Sequence, residues 1–282
     1  MIHNPSSFLC PVCHAPLLRL ERSYCCPNRH SFDCSKYGYV NLLLDNAKNS
    51  KLPGDNKEMI RARKEFLEKG YYFPLVQALQ KEVSGALKEV EHPVLLDAGC
   101  GEGYYTYHLS EALRQQGACP EVFGVDISKF ALQRAGRRLQ QAQLAVASVF
   151  HLPLASNSIH ALVNLFAPCC PGEFHRVLRE DGHLFLVIPD REHLWELKTQ
   201  VYEHPYPNEV KPYDLDGFTL AGVQKVASRI TLENPQDIGN LFSMTPYSYR
   251  TSQQDVQRLR ELTTLHTRIQ FQILHYVPQR NA

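Results

Sequence analysis

Short apolar runs alternate with amphipathic stretches along the chain from residue 92 onward. The apolar runs, each predicted to form a strand, are Val94–Ala98, Val122–Asp126, Leu144–Ala147, Ala161–Phe166 and Leu184–Ile188. Helical spacing of apolar residues fills the intervals near 103–116, 129–141 and 171–179. Strands that are apolar on both faces and separated by helices are typical of a parallel sheet covered on both sides. The pattern therefore predicts a doubly wound, Rossmann-like α/β fold, followed by half-exposed strands near 223–232 and 267–277.

The first part of the chain follows a different pattern. Residues 1–45 are rich in Cys, Pro and aromatic residues and contain only short alternating stretches, which predicts a small module. After a polar connector, a basic amphipathic helix is predicted from Lys57 to Gly70, with Asp55 as its N-terminal cap. A second helical pattern covers about 73–89. We therefore predict three regions, namely a module at 1–45, connecting helices at 46–91 and the α/β domain at 92–282.

Composition and charge narrow the class of protein. The chain has 282 residues, of which 44% are hydrophobic and 21% charged, as expected for a folded protein with a sizeable core. Its longest apolar run, Leu184–Ile188, is far shorter than a membrane span of roughly 20 residues, and its first residues do not resemble a secretory signal. We therefore expect a cytoplasmic protein. The net charge is +1, but the residues through Gly70 carry 11 basic and 7 acidic side chains, so the positive excess lies where a polyanion would dock.

Five of the nine cysteines lie within the first 34 residues. The pattern C-x2-C-x12-C-x3-H is formed by Cys10, Cys13, Cys26 and His30. Two closely spaced pairs can supply the four ligands of a tetrahedral Zn²⁺, and a metal would contribute much of the folding free energy of so small a module. Cys25 and Cys34 compete for a ligand position, and a set of unlinked thiols in a small apolar core is the alternative. The spacing favours a structural zinc site in a reducing compartment.

A glycine-rich turn follows the first predicted strand of the α/β domain. The stretch Asp97-Ala-Gly-Cys-Gly-Glu-Gly103 permits a tight turn and a close approach of the backbone to a ligand, at Gly99 and Gly101 above all. Asp126 ends the second strand and can accept hydrogen bonds from two ribose hydroxyls. An acidic residue at position 97 would repel a pyrophosphate but tolerates the cationic amino-acid end of S-adenosylmethionine. The pattern favours that cofactor over a nicotinamide dinucleotide and over a turn kept only for packing.

Longer motifs run in one consistent order from Cys10 to Tyr247. They are C-P-x-C…C-P-N-R-H-S-F-D, G-Y-V-N-L-L, P-G-D…M-I-R-A-R-K-E-F-L-E-K-G-Y-Y-F-P-L, D-A-G-C-G-E-G-Y-Y-T, A-P-C, H-L-W-E-L-K, G-F-T-L and M-T-P-Y. In content and order the chain resembles the bacterial 23S rRNA (guanine-N1)-methyltransferases, which are class I S-adenosylmethionine-dependent enzymes with an N-terminal zinc-binding module. The resemblance implies methylation of N1 of a guanine in a hairpin loop of 23S rRNA, with S-adenosylmethionine and Zn²⁺ as cofactors.

The resemblance also implies roles for individual residues. Zinc would be held by Cys10, Cys13, Cys26 and His30, in agreement with the spacing. Cofactor contacts are implied for Tyr72, Gly101, Glu102 and His193. Ser148 lies where class I enzymes commonly contact the adenine, and Phe166 lies where many methyltransferases bind the target base. Taken without the resemblance, Tyr72 would be interpreted as a core aromatic, His193 as a surface residue and Phe166 as the end of a buried strand.

Contacts to the RNA are expected from the front of the chain. The candidates for phosphate contacts are Arg19, Arg22, Arg29, Lys36, Lys48, Lys51, Arg61, Arg63 and Lys64, although any one of them could lie on a solvated face. The target guanine must be unpaired or extruded, which favours a hairpin loop. The sequence identifies no general base, and Glu196 and Glu102 are candidates. The family also allows a homodimer that clasps the hairpin.

Two other functions are compatible with the sequence. The chain could be a class I methyltransferase that acts on another RNA or on a small metabolite, although the zinc module and the basic front end favour RNA. It could also be a zinc-dependent RNA- or protein-binding module without enzymatic activity. That interpretation expects a broken cofactor loop, whereas Asp97, Gly99, Gly101 and Asp126 are all present.

Overall fold

Strands and helices alternate through most of the chain. A computed structural model describes residues 8–44, 54–210, 213–249 and 253–279. The strands are β1 Leu18–Arg19, β2 Ser23–Cys25, β3 Ser31–Asp33, β4 Tyr39–Asn41, β5 Val94–Ala98, β6 Glu121–Asp126, β7 Gln143–Val146, β8 Ile159–Leu165, β9 Leu178–Pro189, β10 Phe218–Leu232 and β11 Leu265–Pro278. The α-helices are α1 Lys57–Glu68, α2 Phe73–Ala86, α3 Tyr104–Gln115, α4 Lys129–Arg138, α5 Pro171–Val177, α6 Trp195–Val201, α7 Pro235–Ser243 and α8 Gln253–Glu261.

Eight strands form one sheet in the order β10-β11-β9-β8-β5-β6-β7-β4. The six strands from β9 to β4 are parallel, whereas β11 is antiparallel to both of its neighbours. Leu95 and Leu96, neighbours in β5, belong to two different hydrophobic clusters, so both faces of the sheet are covered. The doubly wound α/β fold predicted from the apolar runs is therefore confirmed. Among the described helices, none is both long and apolar enough to cross a bilayer.

The front module contributes a strand to this sheet. Strands β1 to β3 form a small antiparallel sheet of their own, but β4 pairs in parallel with β7, with Val40 opposite Ala145. The Phe8 ring packs edge-on against Phe123 of β6 at a centroid distance of 5.2 Å. The backbone N–H of Leu9 donates to a carbonyl oxygen of the α/β domain at 2.8 Å. The front module and the α/β domain therefore share one sheet and pack against each other. The division of the chain into three regions stays a prediction.

Helix α1 is capped by Asn56, and the prediction of Asp55 as the cap was wrong. The Asn56 side chain accepts from the N–H groups of the second and third helical residues, and only the residue directly before the helix can reach both. Asp55 is left to pair with Arg63 at 2.5 Å. Just beyond the other end of α1, the Lys69 ammonium donates to Asp237 in α7 at 2.5 Å. These contacts hold α1 between the glycine-rich turn and the C-terminal part of the chain.

Helix α4 approaches the front module too closely for a side chain at Gly136. A Cβ placed at Gly136 would overlap the carbonyl oxygen of Tyr37, two residues before β4. Beside this contact, the Arg137 guanidinium lies 5.0 Å from the centre of the Tyr37 ring. By contrast, a Cβ at Gly239, inside α7, would meet no atom within 4 Å. The absence of a side chain at Gly136 therefore lets the module lie against α4.

We predict that Gly136→Ala destabilises the protein, by about 1–3 kcal/mol, because the added methyl group must displace backbone. Gly239→Ala is the matched control, and there the better helix propensity of alanine is expected to stabilise by up to about 1 kcal/mol. Urea unfolding followed by circular dichroism measures both variants. Equal stabilities for the two variants would contradict the close approach of α4 to the module.

Candidate active site and metal centre

Asp97 is buried at the end of β5, at the start of the glycine-rich turn. One of its carboxylate oxygens accepts a hydrogen bond from Thr106 Oγ1 at 2.5 Å. The other oxygen, Oδ1, has no partner among the described residues. Burial is the main cause that raises the pKa of this carboxyl to about 7, against the opposing hydrogen bond from Thr106. A positively charged ligand would therefore stabilise the ionised form of Asp97.

The glycine turn is packed at its two ends and open in its middle. Gly99, Gly101 and Gly103 all have positive φ, which side chains rarely adopt. A Cβ at Gly99 would overlap the side chain of Ala167, and one at Gly103 would lie 2.7 Å from Leu139 Cδ1. A Cβ at Gly101 would meet a single atom within 4 Å, Nη1 of Arg63 at 3.8 Å. The backbone is thus accessible to a ligand at Gly101.

Two further carboxylates surround the turn. Asp126, at the end of β6, accepts from the backbone N–H of Gly101 at 2.9 Å and from that of Ser128 at 2.7 Å. A carboxylate has about four acceptor positions, so Asp126 can still accept from ribose hydroxyls. Glu102 is buried, and its Oε1 has no partner among the described residues. Burial raises the pKa of both carboxyls, while the positive charge of Arg63 opposes that rise.

These carboxylates suit S-adenosylmethionine, because some of their oxygens can still accept hydrogen bonds. The cofactor carries an ammonium group, a sulfonium and ribose hydroxyls, all of which interact favourably with carboxylate oxygens. A buried carboxylate oxygen without a partner is costly, and a donor from a bound ligand would remove that cost. The structure therefore brings together Asp97, Gly99, Gly101, Glu102 and Asp126, five of the residues that the sequence predicted for the cofactor.

Tyr72 and His193 form a second, aromatic cluster. Both are buried, and Tyr72 Oη lies 3.4 Å from His193 Nε2. Burial is the main cause that lowers the pKa of His193 to about 3, so the ring is neutral. Its Nδ1 accepts the backbone N–H of Gln270 at 3.2 Å. Nε2 therefore carries the hydrogen and donates to Tyr72, and the Tyr72 hydroxyl keeps its own hydrogen for another acceptor.

A row of aromatic rings connects the two clusters. Tyr105, in the helix that begins at the turn, lies 6.5 Å from Phe166, and Phe166 lies 5.5 Å from Phe271 between ring centroids. Phe271 in turn packs against Tyr72 at 4.9 Å and His193 at 4.5 Å. Sequence reasoning did not identify Phe271, because a Phe within a regular strand carries no separate signal.

Phe166 is the unusual member of this row. It follows β8 directly, has a φ of +54°, and is 49% exposed although it is a large apolar residue. Bulky residues with positive φ are strained, and such strain is concentrated at functional sites. The prediction that Phe166 lies at the target-base position stays a prediction, but its exposure excludes the alternative of a simply buried strand end.

Ser148 lies two residues beyond the end of β7. Its hydroxyl oxygen accepts from the backbone N–H of Phe150 at 3.2 Å, and it lines a cavity of about 570 Å³ between the front module and the sheet. Cys10 and Leu42 line the module side of the same cavity. The preceding residue, Ala147, donates its N–H to the Asp126 carbonyl at 3.2 Å. This hydrogen bond connects the end of β7 to the end of β6, where the candidate ribose-binding carboxylate lies. The adenine contact of Ser148 stays a prediction.

The metal-binding pattern in the front module is a real cluster in space. One ligand atom from each of Cys10, Cys13, Cys26 and His30 lies within 4.8 Å of all the others. His30 Nδ1 is 3.5 Å from Cys10 Sγ and 3.4 Å from Cys26 Sγ, and the Sγ atoms of Cys13 and Cys26 are 3.7 Å apart. Tetrahedral Zn²⁺ with ordinary bond lengths requires separations of about 3.4–3.8 Å. The donor set and its spacing both fit zinc.

Local backbone geometry aims these ligands inward. Each ligand pair spans a tight turn, in which the N–H of His14 donates to the Cys10 carbonyl at 2.8 Å and that of Arg29 to the Cys26 carbonyl at 3.0 Å. His14 and Arg29 both have positive φ, which bends the chain around the ligand atoms. Cys25, one residue out of register, instead donates to Ser31 Oγ at 3.3 Å. The atoms that come together are those of Cys10, Cys13, Cys26 and His30, and neither of the two competitors, Cys25 and Cys34, belongs to this cluster.

The basic residues of the front end divide into two groups. In the module, Arg19, Arg22, Arg29 and Lys36 are exposed. In α1, Arg61 is exposed and pairs loosely with Glu65 at 3.9 Å, whereas Arg63 points inward to the glycine turn. The prediction of Arg63 as a phosphate contact is therefore corrected. Arg63 shares the buried face of α1 with Ile60 and Phe66, which lie three residues before and after it. That spacing was the signal in the sequence that Arg63 faces inward. Lys48 and Lys51 lie outside the described residues.

Glu196 is not available as a general base. Its carboxylate accepts from the backbone N–H of Arg268 at 2.9 Å, from Arg268 Nε at 2.9 Å and from Thr267 Oγ1 at 3.1 Å. Burial acts to raise the pKa of Glu196, but these hydrogen bonds outweigh it and lower the pKa. The carboxylate is therefore committed to holding α6 against β11, and it stays ionised.

Two protein families match separate parts of the chain. Residues 8–51 match the family described as "RlmA, N-terminal", a zinc ribbon. Residues 90–207 match the family described as "Methyltransferase domain". These ranges contain, respectively, the Cys/His cluster and the carboxylates around the glycine turn.

Curated relatives extend over the whole chain. The 23S rRNA (guanine(748)-N1)-methyltransferase of Streptomyces fradiae is 32% identical over 267 residues, which cover 91% of each chain. The chain belongs to the 23S rRNA (guanine-N1)-methyltransferase family. A candidate 23S rRNA (guanine-N1)-methyltransferase from Micromonospora griseorubida is 42% identical over 207 residues, or 67% of each chain. A third relative, YxjB of Bacillus subtilis strain 168, is 29% identical over 277 residues, covering 95% of this chain and 96% of YxjB.

Membership of this family confirms the resemblance seen in the motifs. The protein is an S-adenosylmethionine-dependent methyltransferase with S-adenosylmethionine and Zn²⁺ as its cofactors.

We predict that Cys10→Ser lowers the zinc content well below one ion per chain and lowers the melting temperature, because the hydroxyl is a poor zinc ligand and the module depends on the metal. Cys119→Ser is the control, since Cys119 is exposed and lies outside the cluster. Elemental analysis and differential scanning calorimetry measure the two effects. Full zinc content in Cys10→Ser would show that the ligand set is wrong.

We predict that Asp97→Asn becomes more stable relative to wild type as the pH rises. The folded-state pKa of Asp97, about 7, lies above its value of 3.8 in the unfolded chain. Its contribution to stability is therefore fully present below pH 4 and is lost as the pH rises through 7. Between pH 5 and pH 8 the difference in unfolding free energy should change by about 2 kcal/mol in favour of the variant. A pH-independent difference would contradict a buried, protonated Asp97.

Proposed function

We propose that this enzyme transfers the methyl group of S-adenosylmethionine to N1 of a guanine in a hairpin loop of 23S rRNA. The observation that carries the proposal is the match to the Streptomyces fradiae relative, which is named for guanine-N1 methylation of 23S rRNA and is aligned over 91% of both chains. The match includes both the zinc ribbon and the methyltransferase domain, so the same two parts occur together. The hairpin loop is proposed because the Watson–Crick edge of the target guanine must be accessible.

The cofactor site is proposed to consist of Tyr72, Asp97, Gly99, Gly101, Glu102, Asp126, Ser148 and His193. S-adenosylmethionine supplies a methyl group bound to a sulfonium sulfur, which leaves as a neutral thioether when the methyl group is transferred. Asp126 would accept from the ribose hydroxyls, and the unpartnered oxygens of Asp97 and Glu102 would accept from the ammonium group. Neutral His193 fixes the hydroxyl of Tyr72, which keeps one O–H donor for the bound cofactor or base. Zn²⁺ would be held by Cys10, Cys13, Cys26 and His30 as a structural ion.

The target guanine is proposed to stack on Phe166. This ring is half exposed, it is held by a strained backbone, and it lies in the aromatic row between the glycine turn and Tyr72. Stacking of an extruded base on an aromatic ring stabilises it by about 1–3 kcal/mol. Because methyl transfer is an in-line displacement, alignment of the acceptor nitrogen is the main task of the site. Guanine N1 carries a proton, which must leave as the new bond forms.

The zinc module at residues 1–45 is proposed to recognise the RNA. Its cations Arg19, Arg22, Arg29 and Lys36 are exposed, and each can contact a phosphate. The module is fixed to the edge of the catalytic sheet through β4, so RNA bound to it is held in a set position relative to the turn. We further propose that the enzyme acts in the cytoplasm, where rRNA is found, and that a homodimer clasps the hairpin.

The activity is tested by incubating purified protein with tritiated S-adenosylmethionine and with a 23S rRNA transcript, bulk tRNA or a small-molecule extract. We expect label in the 23S transcript as 1-methylguanosine, located by nuclease digestion and mass spectrometry to a single hairpin loop. Label at another guanine position would overturn the assignment to N1. Label in tRNA or in a metabolite, with none in 23S rRNA, would favour a class I methyltransferase with a different substrate.

We predict that Phe166→Ala reduces kcat/KM for the rRNA by about 10–100-fold, because the extruded guanine loses its stacking partner. The matched control is Phe150→Ala, since Phe150 is equally exposed, at 49%, but is not one of the rings in contact along the aromatic row. Affinity for S-adenosylhomocysteine, measured by calorimetry, should be unchanged in both variants. If both alanine variants lose activity equally, the stacking role is wrong.

A further inference from the structure

One guanidinium group lies directly over the middle of the cofactor turn. Apart from the two adjacent residues, Nη1 of Arg63 is the single atom of the described residues within 4 Å of the Cβ position at Gly101. The side chain is 25% exposed, and it reaches this position from α1, outside the methyltransferase domain match. Among the described residues it pairs with Asp55, whose Oδ2 lies 2.5 Å from Nη1. The remaining N–H groups of the guanidinium are therefore available to a ligand on the turn.

Arg63 is also the cation that balances the acidic groups of the site. Burial acts to lower the pKa of the guanidinium, but the carboxylates of Asp55, Glu102 and Asp126 outweigh it and raise the pKa. Arg138 also acts on Glu102, but it pairs with Glu68 at 3.0 Å and lies over the Tyr104 ring. Among the described residues, the turn is thus surrounded by several carboxylates and two guanidinium groups, of which Arg63 is the one that lies against Gly101.

This charge pattern discriminates between the ends of an amino acid. Asp97 and Glu102 each have a buried oxygen that lacks a partner among the described residues, and such an oxygen suits an ammonium group. The α-carboxylate of the same ligand would be repelled by these residues and by Asp126 unless a cation received it. A planar guanidinium is well suited to a carboxylate, since it can donate two parallel hydrogen bonds.

We propose that Arg63 binds the α-carboxylate of S-adenosylmethionine and so fixes the amino-acid end of the cofactor over Gly101. The proposal rests on the cofactor assignment made above. It gives the connecting segment a role in specificity, because a ligand that lacks the carboxylate would leave Arg63 without that partner. It also explains why α1 carries an arginine on its buried face, between Ile60 and Phe66, where an apolar residue would be expected.

The test compares ligands with and without the carboxylate on the full-length protein. Wild type, Arg63→Met and Arg61→Met are titrated by calorimetry with S-adenosylmethionine and with decarboxylated S-adenosylmethionine, which keeps the sulfonium and the amine. We expect wild type to prefer the carboxylated ligand by about 10–100-fold, the range for a hydrogen-bonded charge pair. Arg63→Met should lose this preference, by weakening the carboxylated ligand alone. Arg61→Met, on the exposed face of the same helix, should behave as wild type.

Three results would overturn the proposal. Equal weakening of both ligands by Arg63→Met would show that the residue only supports the fold of the turn. An unchanged preference in Arg63→Met would show that another group receives the carboxylate. The absence of any preference in wild type would show that no group favours the carboxylate, and this result does not depend on the folding of a variant. If wild type binds neither ligand, the cofactor assignment itself fails, and that outcome is distinct from the other three.

Discussion

The site depends on carboxylates held out of water at the carboxyl ends of β5 and β6. An ionised carboxylate in a buried position is costly unless hydrogen bonds and opposite charge compensate it. Asp97 has the Thr106 hydroxyl, Asp126 has two backbone N–H groups, and Glu102 has the field of Arg63. The compensation is incomplete, because one oxygen each of Asp97 and Glu102 lacks a partner among the described residues. The turn is thus prepared for a ligand that brings donors and positive charge.

The segment between the zinc module and the methyltransferase domain is part of this arrangement. Its first described residue, Gly54, lies so close to Ile127 that a Cβ would come within 2.9 Å of the Ile127 side chain. Ser128 Oγ then donates to the Asp55 carbonyl at 2.8 Å, while the Asp55 carboxylate pairs with Arg63. The loop after β6 therefore contacts, at the same time, the ribose-binding candidate and the beginning of α1. These contacts place the beginning of the connecting segment, and with it Arg63, against the cofactor turn.

A second constraint is the aromatic row that continues from the turn to Tyr72 and His193. Phe271 touches three of its members, and it belongs to β11, the antiparallel strand inserted beside β9. His193 is held by a backbone N–H of the same strand, so β11 sets the positions of both. The positive φ of Phe166 and of Leu194, which directly follows His193, marks the two places where the chain turns sharply to form this row. Well-packed strands on either side keep these strained residues in place.

Local patterns in the sequence determined much of this protein. The alternation of apolar runs predicted the parallel sheet, the Cys/His spacing predicted the metal cluster, and the turn from Asp97 to Gly103 predicted the cofactor loop, because each depends on residues a few positions apart. Only the tertiary structure decided that β4 joins the sheet edge beside β7 and that Tyr72 meets His193 across 121 residues. Such contacts depend on how distant segments bury their surfaces together, and the free energy of that packing leaves no periodic mark on the sequence.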